Sequence, residues 1–134
     1  TAPFGHARFT MLEKALVAGG AAALALALYH KLRVKKIYLA GPDVFLPDHI
    51  REDIVVRKKA ICKKYGMEGL FPMDNTIDST GLTLQEIGFV IFRANVGLMN
   101  KADIVVANLT PFRGPSGDPG TCYEVGYMFA SGKT

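Results

Sequence analysis

The hydrophobic positions divide the chain near Arg33. Before this residue, positions 15–29 (ALVAGGAAALALALY) form an unbroken run of apolar or glycine residues. After it, short runs rich in Val, Ile and Leu alternate with longer segments of mixed polarity. Short apolar runs bounded by Gly or Pro are typical of buried strands, whereas the longer segments are typical of amphipathic helices. We therefore predict a hydrophobic helix within residues 1–34 and an α/β domain over residues 35–134.

Three strand–helix pairs are predicted in the second part of the chain. The predicted strands are Lys36–Ala40, Glu68–Phe71 and Asp103–Leu109, and the predicted helices are Asp48–Tyr65, Thr83–Asn100 and Thr121–Ser131. Gly66 is suited to end the first of these helices, and Thr83 with Glu86 forms a capping box at the start of the second. The alternation predicts a small flavodoxin-like or Rossmann-like parallel sheet, with a site at the carboxyl ends of its strands. Because three strands make a small sheet, we expect a partner chain or further residues to complete it.

The apolar run before Arg33 allows three interpretations. A membrane span needs about 20 apolar residues, so the run is long enough only if Leu12 and Leu32 extend it and the flanking lysines reach the interface. It is also compatible with an uncleaved targeting segment or with a helix buried against partner proteins. The expectation is a transmembrane helix over residues 12–32, with the following domain membrane-associated on the cytoplasmic or mitochondrial-matrix side, because Lys and Arg follow Tyr29. The alternative location is the cytoplasm. Thr1 in place of an initiator Met indicates processing or a missing start.

Charge and composition exclude only a few classes of function. Residues 31–64 hold ten Lys or Arg against four Asp or Glu, which suits either an anionic partner surface or a solvated helix face. Basic and aromatic residues are not interleaved, so nucleic-acid binding is not expected. His6, His30 and His49 are scattered, and Cys62 and Cys122 are far apart in the sequence. Neither set has the spacing of metal ligands, so we expect no metal. We also expect no cofactor.

Two carboxylates near the end of the chain are candidates for catalysis. Asp118 lies in the loop after the third predicted strand, and Glu124 lies one turn into the helix that follows. Glycosyl transfer requires such a pair, because one carboxylate attacks the anomeric carbon while the other orients the sugar or supports proton transfer. However, Thr121-Cys-Tyr-Glu124 is also a capping box, in which Glu124 only accepts a backbone N–H. The spacing alone leaves both interpretations open.

Three strings of residues carry a resemblance to a known family. KIYLAGPDVF, GLFPMDN and ADIVVANLTPFRGPSGDPGTCYEVGYMFASGK stand in this order between Lys35 and Lys133. Together they resemble the nucleoside 2-deoxyribosyltransferase family. The last string is the most specific, because it places an Asp, a Gly and a Glu-x-Gly after a buried strand. The resemblance implies cleavage and re-formation of the bond between a 2-deoxyribose and a nucleobase.

The resemblance also implies roles for individual residues. Glu124 matches the nucleophile that forms a covalent 2-deoxyribosyl intermediate, Asp118 matches the carboxylate that contacts the sugar, and Tyr38 matches a tyrosine that holds the nucleophile. Gly41 begins a loop that closes over the nucleoside, and Asn95 stands where several members carry an Asp beside the base. The remaining expected substrate-binding residues are Asp74, Asn75 and Gly120.

The expected function is 2-deoxyribosyl transfer between bases, with two alternatives. Family members normally continue beyond the last predicted helix, and a C-terminal segment reaches into the neighbouring subunit's site, so we expect an oligomer or a larger protein assembly. The apolar run favours a non-catalytic subunit of a membrane assembly, such as a mitochondrial respiratory complex, as the first alternative. The second alternative is an N-glycosidase that acts on a deoxynucleoside or deoxynucleotide and transfers the sugar to water.

Overall fold

The computed structural model describes residues 11–133. The chain forms two compact units, which divide between Arg33 and Val34. The first unit contains helix α1 (Met11–Leu32). The second unit contains the strands β1 (Lys35–Ala40), β2 (Met67–Leu70) and β3 (Ile104–Ala107) and the helices α2 (Asp48–Lys64), α3 (Leu84–Lys101) and α4 (Pro119–Ala130). Two 3₁₀ turns follow the first two strands, turn 1 at Pro42–Phe45 and turn 2 at Pro72–Asp74.

Helix α1 corrects one prediction. Within residues 11–133, no helix combines the length and the apolarity that a membrane crossing requires. The predicted transmembrane helix over residues 12–32 is therefore wrong. The physical reason is that the apolar run at residues 15–29 is shorter than the roughly 20 residues of a span, and charged residues stand close to both its ends in the sequence. The location of the following domain stays a prediction.

The three strands form one parallel sheet in the order β2-β1-β3. Residue Lys35 of β1 lies opposite Met67 of β2, and Ile37 lies opposite Ile104 of β3. The central strand is buried from Ile37 to Ala40, as expected for a parallel strand that is covered on both faces. The predicted small α/β domain with a three-stranded parallel sheet is therefore correct.

Alternate side chains of β1 belong to two separate hydrophobic cores. On one face, Tyr38 and Ala40 pack with residues of α3 and α4, namely Leu98, Met99 and Met128. On the other face, Ile37 and Leu39 pack with Cys62 of α2 and with Phe71. The central strand is thus enclosed between α2 on one side and α3 and α4 on the other.

The starts of α3 and α4 have different caps. Helix α3 begins with the predicted capping box, in which the Thr83 side chain accepts the Glu86 N–H and the Glu86 side chain accepts the Thr83 N–H. Helix α4 begins two residues earlier than predicted, with Asp118 as its N-cap and the Thr121 N–H donating to Asp118 Oδ2 at 2.8 Å. A capping box between Thr121 and Glu124 is therefore wrong, and the Glu124 side chain makes other contacts.

Candidate active site

A pocket of about 530 Å³ opens at the carboxyl ends of the strands. Its walls come from turn 1, from turn 2 and the loop after it, from one face of α3, and from the first turns of α4. Sites in parallel α/β sheets are built in this position because the loops after the strands share one edge. The volume lies in the range of about 300–1,000 Å³ that small-molecule sites occupy, and the walls are mostly apolar. The pocket therefore suits a ligand of nucleoside size.

The central strand provides a hydrogen-bond donor to Glu124. Tyr38 is fully buried on β1, and its hydroxyl donates to Glu124 Oε1 at 2.5 Å. Glu124 lies on α4, is half-buried and lines the pocket. In the described part of the chain, no group other than the Tyr38 hydroxyl hydrogen-bonds to that carboxylate. One carboxylate oxygen is thus held by a residue of the central strand, while the side chain lines the pocket.

Burial raises the pKa of both groups. Burial is the main cause of a raised pKa for the Glu124 carboxyl; the Tyr38 hydrogen bond opposes this shift, and the negative charge of Asp118 adds to it. The pKa of the Tyr38 hydroxyl is raised far above its ordinary value, first by burial and then by its bond to Glu124 and by that residue's charge. Tyr38 therefore remains a neutral donor, and the Glu124 carboxylate is less stabilised than one in water.

Asp118 combines a structural contact with a position in the pocket. Its Oδ2 accepts the backbone N–H of Thr121 at 2.8 Å and the Thr121 hydroxyl at 2.9 Å, which fixes the start of α4. Its side chain also lines the same pocket as Glu124. Because one helix start carries both carboxylates, their separation is set by a single rigid element. Two carboxylates at one pocket are the arrangement that glycosyl transfer uses.

Most of the other expected substrate-binding residues also line this pocket, namely Gly41, Asn75, Asn95 and Gly120. At Gly41, an added Cβ would lie 3.1 Å from Asn108 Cβ and 3.2 Å from Asp43 Oδ2, so this position has little room for a side chain. Asp74 does not line the pocket. Its carboxylate instead pairs with Lys59 at 2.5 Å and accepts the Phe71 N–H at 2.9 Å, so it fixes turn 2.

The apolar wall of the pocket was not anticipated from the sequence. Phe45 contributes from turn 1, and Ile87, Ile91 and Asn95 contribute from α3. The last three follow one another at a spacing of four residues, which places them on one face of a helix. That spacing in the sequence indicates that two isoleucines lie on the same helix face as Asn95. Within residues 11–133 no group of three or more His, Cys, Asp or Glu is arranged to hold a metal ion.

The domain combines a parallel α/β sheet with two carboxylates at one pocket, and this combination is compatible with glycosyl transfer. The family model described as nucleoside 2-deoxyribosyltransferase matches residues 37–134, which is most of the second unit. The chain belongs to the nucleoside 2-deoxyribosyltransferase family.

Individual relatives agree with this assignment. An uncharacterized protein of Schizosaccharomyces pombe is 37% identical over 103 residues, covering 75% of this chain and 48% of that protein. A solved 2-desoxiribosyltransferase from Leishmania mexicana is similar with a TM-score of 0.62 and 34% identity, over 75% of this chain and 61% of that chain. The structure of a 2-deoxyribosyltransferase from Bacillus psychrosaccharolyticus, at 23% identity and a TM-score of 0.55, covers 73% of this chain and 67% of that one and shows the fold alone. The chain spans about half the length of the curated relative it matches.

Proposed function

We propose that this domain transfers 2-deoxyribose between nucleobases in two displacement steps, with Glu124 as the nucleophile. The observation that carries the proposal is the Glu124 carboxylate, which faces a nucleoside-sized pocket and is held by the buried Tyr38 hydroxyl at 2.5 Å. A carboxylate nucleophile at a sugar must be fixed in position and kept ionised. The Tyr38 bond serves both needs, because it restricts the side chain and stabilises the charged form.

In the first step, a Glu124 oxygen forms a bond to C1′ while the bond between C1′ and the base nitrogen breaks. The electron pair of the broken bond goes to the base, which takes up a proton as it leaves. Positive charge develops on the sugar ring in the transition state, and the Asp118 carboxylate in the same pocket stabilises it. The product is a 2-deoxyribosyl ester of Glu124.

In the second step, a nitrogen of the acceptor base attacks C1′ and loses its proton to water. The ester bond between C1′ and Glu124 breaks, and the carboxylate is regenerated. Asn95 lines the pocket and can hydrogen-bond to a base edge, but an amide has no acidic proton to give to a leaving base. In this scheme, the proton on the leaving base therefore comes from water.

The apolar wall supports a base as the group that occupies the pocket. Phe45 and Ile91 offer flat or branched apolar surface, against which either face of a base can pack. The relative from Leishmania mexicana, which is named a 2-desoxiribosyltransferase, supports the choice of sugar at 34% identity.

The test is base exchange between a deoxynucleoside and a different free base, followed by chromatography of the new deoxynucleoside. Glu124→Ala is expected to reduce exchange to the detection limit, because it removes the carboxylate that forms the ester in this scheme. A 2-fluoro-2-deoxyribosyl donor, whose ester is slow to break down, is expected to add its mass to the peptide that contains Glu124. Glu52→Ala changes an exposed glutamate of α2 and serves as the matched control, with activity equal to that of the unaltered chain.

Omitting the acceptor base separates transfer from hydrolysis. If free base appears at the same rate with and without an acceptor, the sugar goes to water and the protein is an N-glycosidase. If Glu124→Ala exchanges bases at the normal rate, or if the labelled peptide does not contain Glu124, the proposal is wrong.

A further inference from the structure

Two neighbouring lysines of α2 pair with the two turns that line the pocket. The Lys58 ammonium group bonds to Asp43 Oδ2 in turn 1. The Lys59 ammonium group bonds to Asp74 Oδ1 in turn 2 at 2.5 Å. Both aspartates lie fifteen positions from their lysines in the sequence. A single turn of one helix thus contacts both loops.

In each turn, the aspartate and its neighbours face different ways. Val44 and Phe45 follow Asp43 and line the pocket. Met73 and Asn75 flank Asp74 and also line it. The two aspartates are not part of the pocket lining and instead reach back to α2. The orientation of each ion pair is therefore coupled to the orientation of the pocket wall beside it.

The aspartates also close the backbone of their own turns. The Asp43 carbonyl accepts the Leu46 N–H at 3.1 Å. In turn 2 the Asp74 N–H donates to the Phe71 carbonyl at 2.8 Å, and the Phe71 N–H donates to Asp74 Oδ2 at 2.9 Å. In turn 2, the carboxylate that Lys59 holds therefore also closes the turn, whereas in turn 1 the closing bond is made by the backbone of Asp43.

Close packing of α2 on the sheet aims the lysines at the turns. An added Cβ at Gly69 of β2 would lie 3.3 Å from Lys59 Cγ and 3.2 Å from Cys62 Sγ, so the helix approaches the strand where no side chain intervenes. The Asp43 side chain is 10% exposed and the Asp74 side chain 31%. The first pair is better shielded from water and is expected to hold its turn more firmly.

We propose that Lys58 and Lys59 are positioning residues for substrate binding, each of which fixes one wall of the pocket from outside it. Lys58 fixes turn 1, which carries Phe45 of the pocket wall. Lys59 fixes turn 2, which is followed directly by Asn75 of the pocket wall. Neither lysine lines the pocket in the described part of the chain. The catalytic readout of this proposal rests on the proposed function, whereas the structural readout does not.

The first test is hydrogen–deuterium exchange of the full chain in three variants. Lys58→Met is expected to raise exchange about two- to fivefold at the Leu46 amide only, and Lys59→Met at the Phe71 and Asp74 amides only. Arg57→Met is the matched control, because Arg57 pairs at 2.7 Å with Asp53 of the same helix and contacts neither turn. It is expected to leave both turns unchanged. Equal exchange in all three variants would overturn the proposal.

The second test separates binding from chemistry. The KM for a deoxynucleoside donor, or its Kd from calorimetry, is expected to rise about two- to fivefold in Lys58→Met and Lys59→Met, with kcat within twofold of normal. The reason is that Tyr38 and Glu124 lie on β1 and α4, which these lysines do not hold. A fall in kcat at constant KM would overturn the proposal.

One further variant protects the test from unfolding. Lys58→Met leaves the buried Asp43 without its partner, so the double variant Asp43→Asn, Lys58→Met removes both charges, and thermal unfolding reports whether it folds. Lys59→Met affects a pair that is about one-third exposed and keeps the fold. If the chain transfers no 2-deoxyribose between bases, the proposed function fails. The hydrogen–deuterium exchange pattern and the Kd for the deoxynucleoside still decide the role of the lysines.

Discussion

At the residue scale, the Glu124 carboxylate is under two influences of opposite sign. Burial and the Asp118 charge raise its pKa, whereas the Tyr38 hydrogen bond lowers it. Both partners can be replaced by residues of nearly the same size, Tyr38 by Phe and Asp118 by Asn. The two effects can therefore be measured separately on one group.

Tyr38→Phe and Asp118→Asn are expected to move the acid limb of the pH profile in opposite directions. Activity needs the ionised Glu124, so kcat/KM falls as the pH drops through the pKa of this residue. Losing the Tyr38 bond raises that pKa and moves the limb to higher pH, while losing the Asp118 charge lowers it and moves the limb to lower pH. The measurement is kcat/KM across pH for each variant. Shifts in the same direction would contradict the assigned causes.

Glu124→Gln is expected to stabilise the domain, and increasingly so as the pH rises. The folded pKa of Glu124 is raised, so the folded state binds more protons than the unfolded state between the ordinary and the raised pKa. The contribution of Glu124 to the free energy of unfolding therefore falls as pH rises through this window and is constant above it. Thermal unfolding at a series of pH values gives the difference, with Glu52→Gln as the exposed control. A difference that shrinks with rising pH would argue against a raised pKa.

The structure brings some of the candidate site residues together, whereas one of them points away from the pocket. Tyr38, Asp118 and Glu124 could be placed through the family resemblance, and the structure brings them together. The direction of Asp74 could not be read from the sequence, because it depends on Lys59 in an earlier element. The capping box at Thr121 was ambiguous because Asp118, three residues earlier, competes for the same N–H and obtains it.

At the element scale, the contact of α2 with β2 depends on the absence of a side chain at Gly69. An added Cβ there would lie 3.1 Å from Leu39 Cδ1 and 3.2 Å from Cys62 Sγ. These contacts are tighter than ordinary van der Waals distances on more than one side. The position therefore limits how closely the helix that carries both positioning lysines can approach the sheet.

Gly69→Ala is expected to reduce the free energy of unfolding by about 1–3 kcal/mol, because a well-packed contact must open to admit the methyl group. Gly88→Ala is the matched control. Gly88 is exposed in α3 with nothing within 4 Å of an added Cβ, so alanine there is expected to stabilise the helix by about 0.5–1 kcal/mol. Urea unfolding of both variants gives the two values. Equal stability of Gly69→Ala and the unaltered chain would mean that α2 shifts freely on the sheet.

Local signals predicted the elements better than their lengths. The capping box at Thr83 was readable because its donors and acceptors lie within four residues. Strand β3 is shorter than predicted, because its ladder extends only along Ile37–Ala40 of β1. The length of a strand depends on its neighbour, and the hydrophobic pattern of β3 alone does not contain that information.

At the scale of the whole molecule, the alternation of strands and helices was enough to predict a parallel sheet. The order β2-β1-β3 was not predicted, because alternation does not state which strands are neighbours. The predicted membrane span is wrong because the apolar run at residues 15–29 is shorter than the roughly 20 residues that a span needs.

Removing residues 1–33 is expected to leave the second unit folded. The buried residues of both cores lie between Ile37 and Met128. The truncated domain is therefore expected to unfold within about 3 °C of the full chain and to keep its base-exchange activity. A deletion that extends through Ile37 removes half of β1 and is expected to abolish cooperative unfolding. Calorimetry of the three chains is the measurement, and a large loss of stability in the first truncation would show that residues 1–33 contribute to the fold.

The central position of β1 also links the accuracy of folding to activity. A strand that pairs one residue out of register turns every side chain to the opposite face. In such a molecule Leu39 would lie under Glu124, and the Tyr38 hydroxyl would enter the aliphatic side beside Cys62. Helix and strand content would hardly change, so circular dichroism would count this molecule as native. Labelling of Glu124 by the 2-fluoro donor would not detect this molecule, because its nucleophile is not held by Tyr38. The labelled fraction, divided by the folded fraction from circular dichroism, gives the fraction of chains that fold in the correct register.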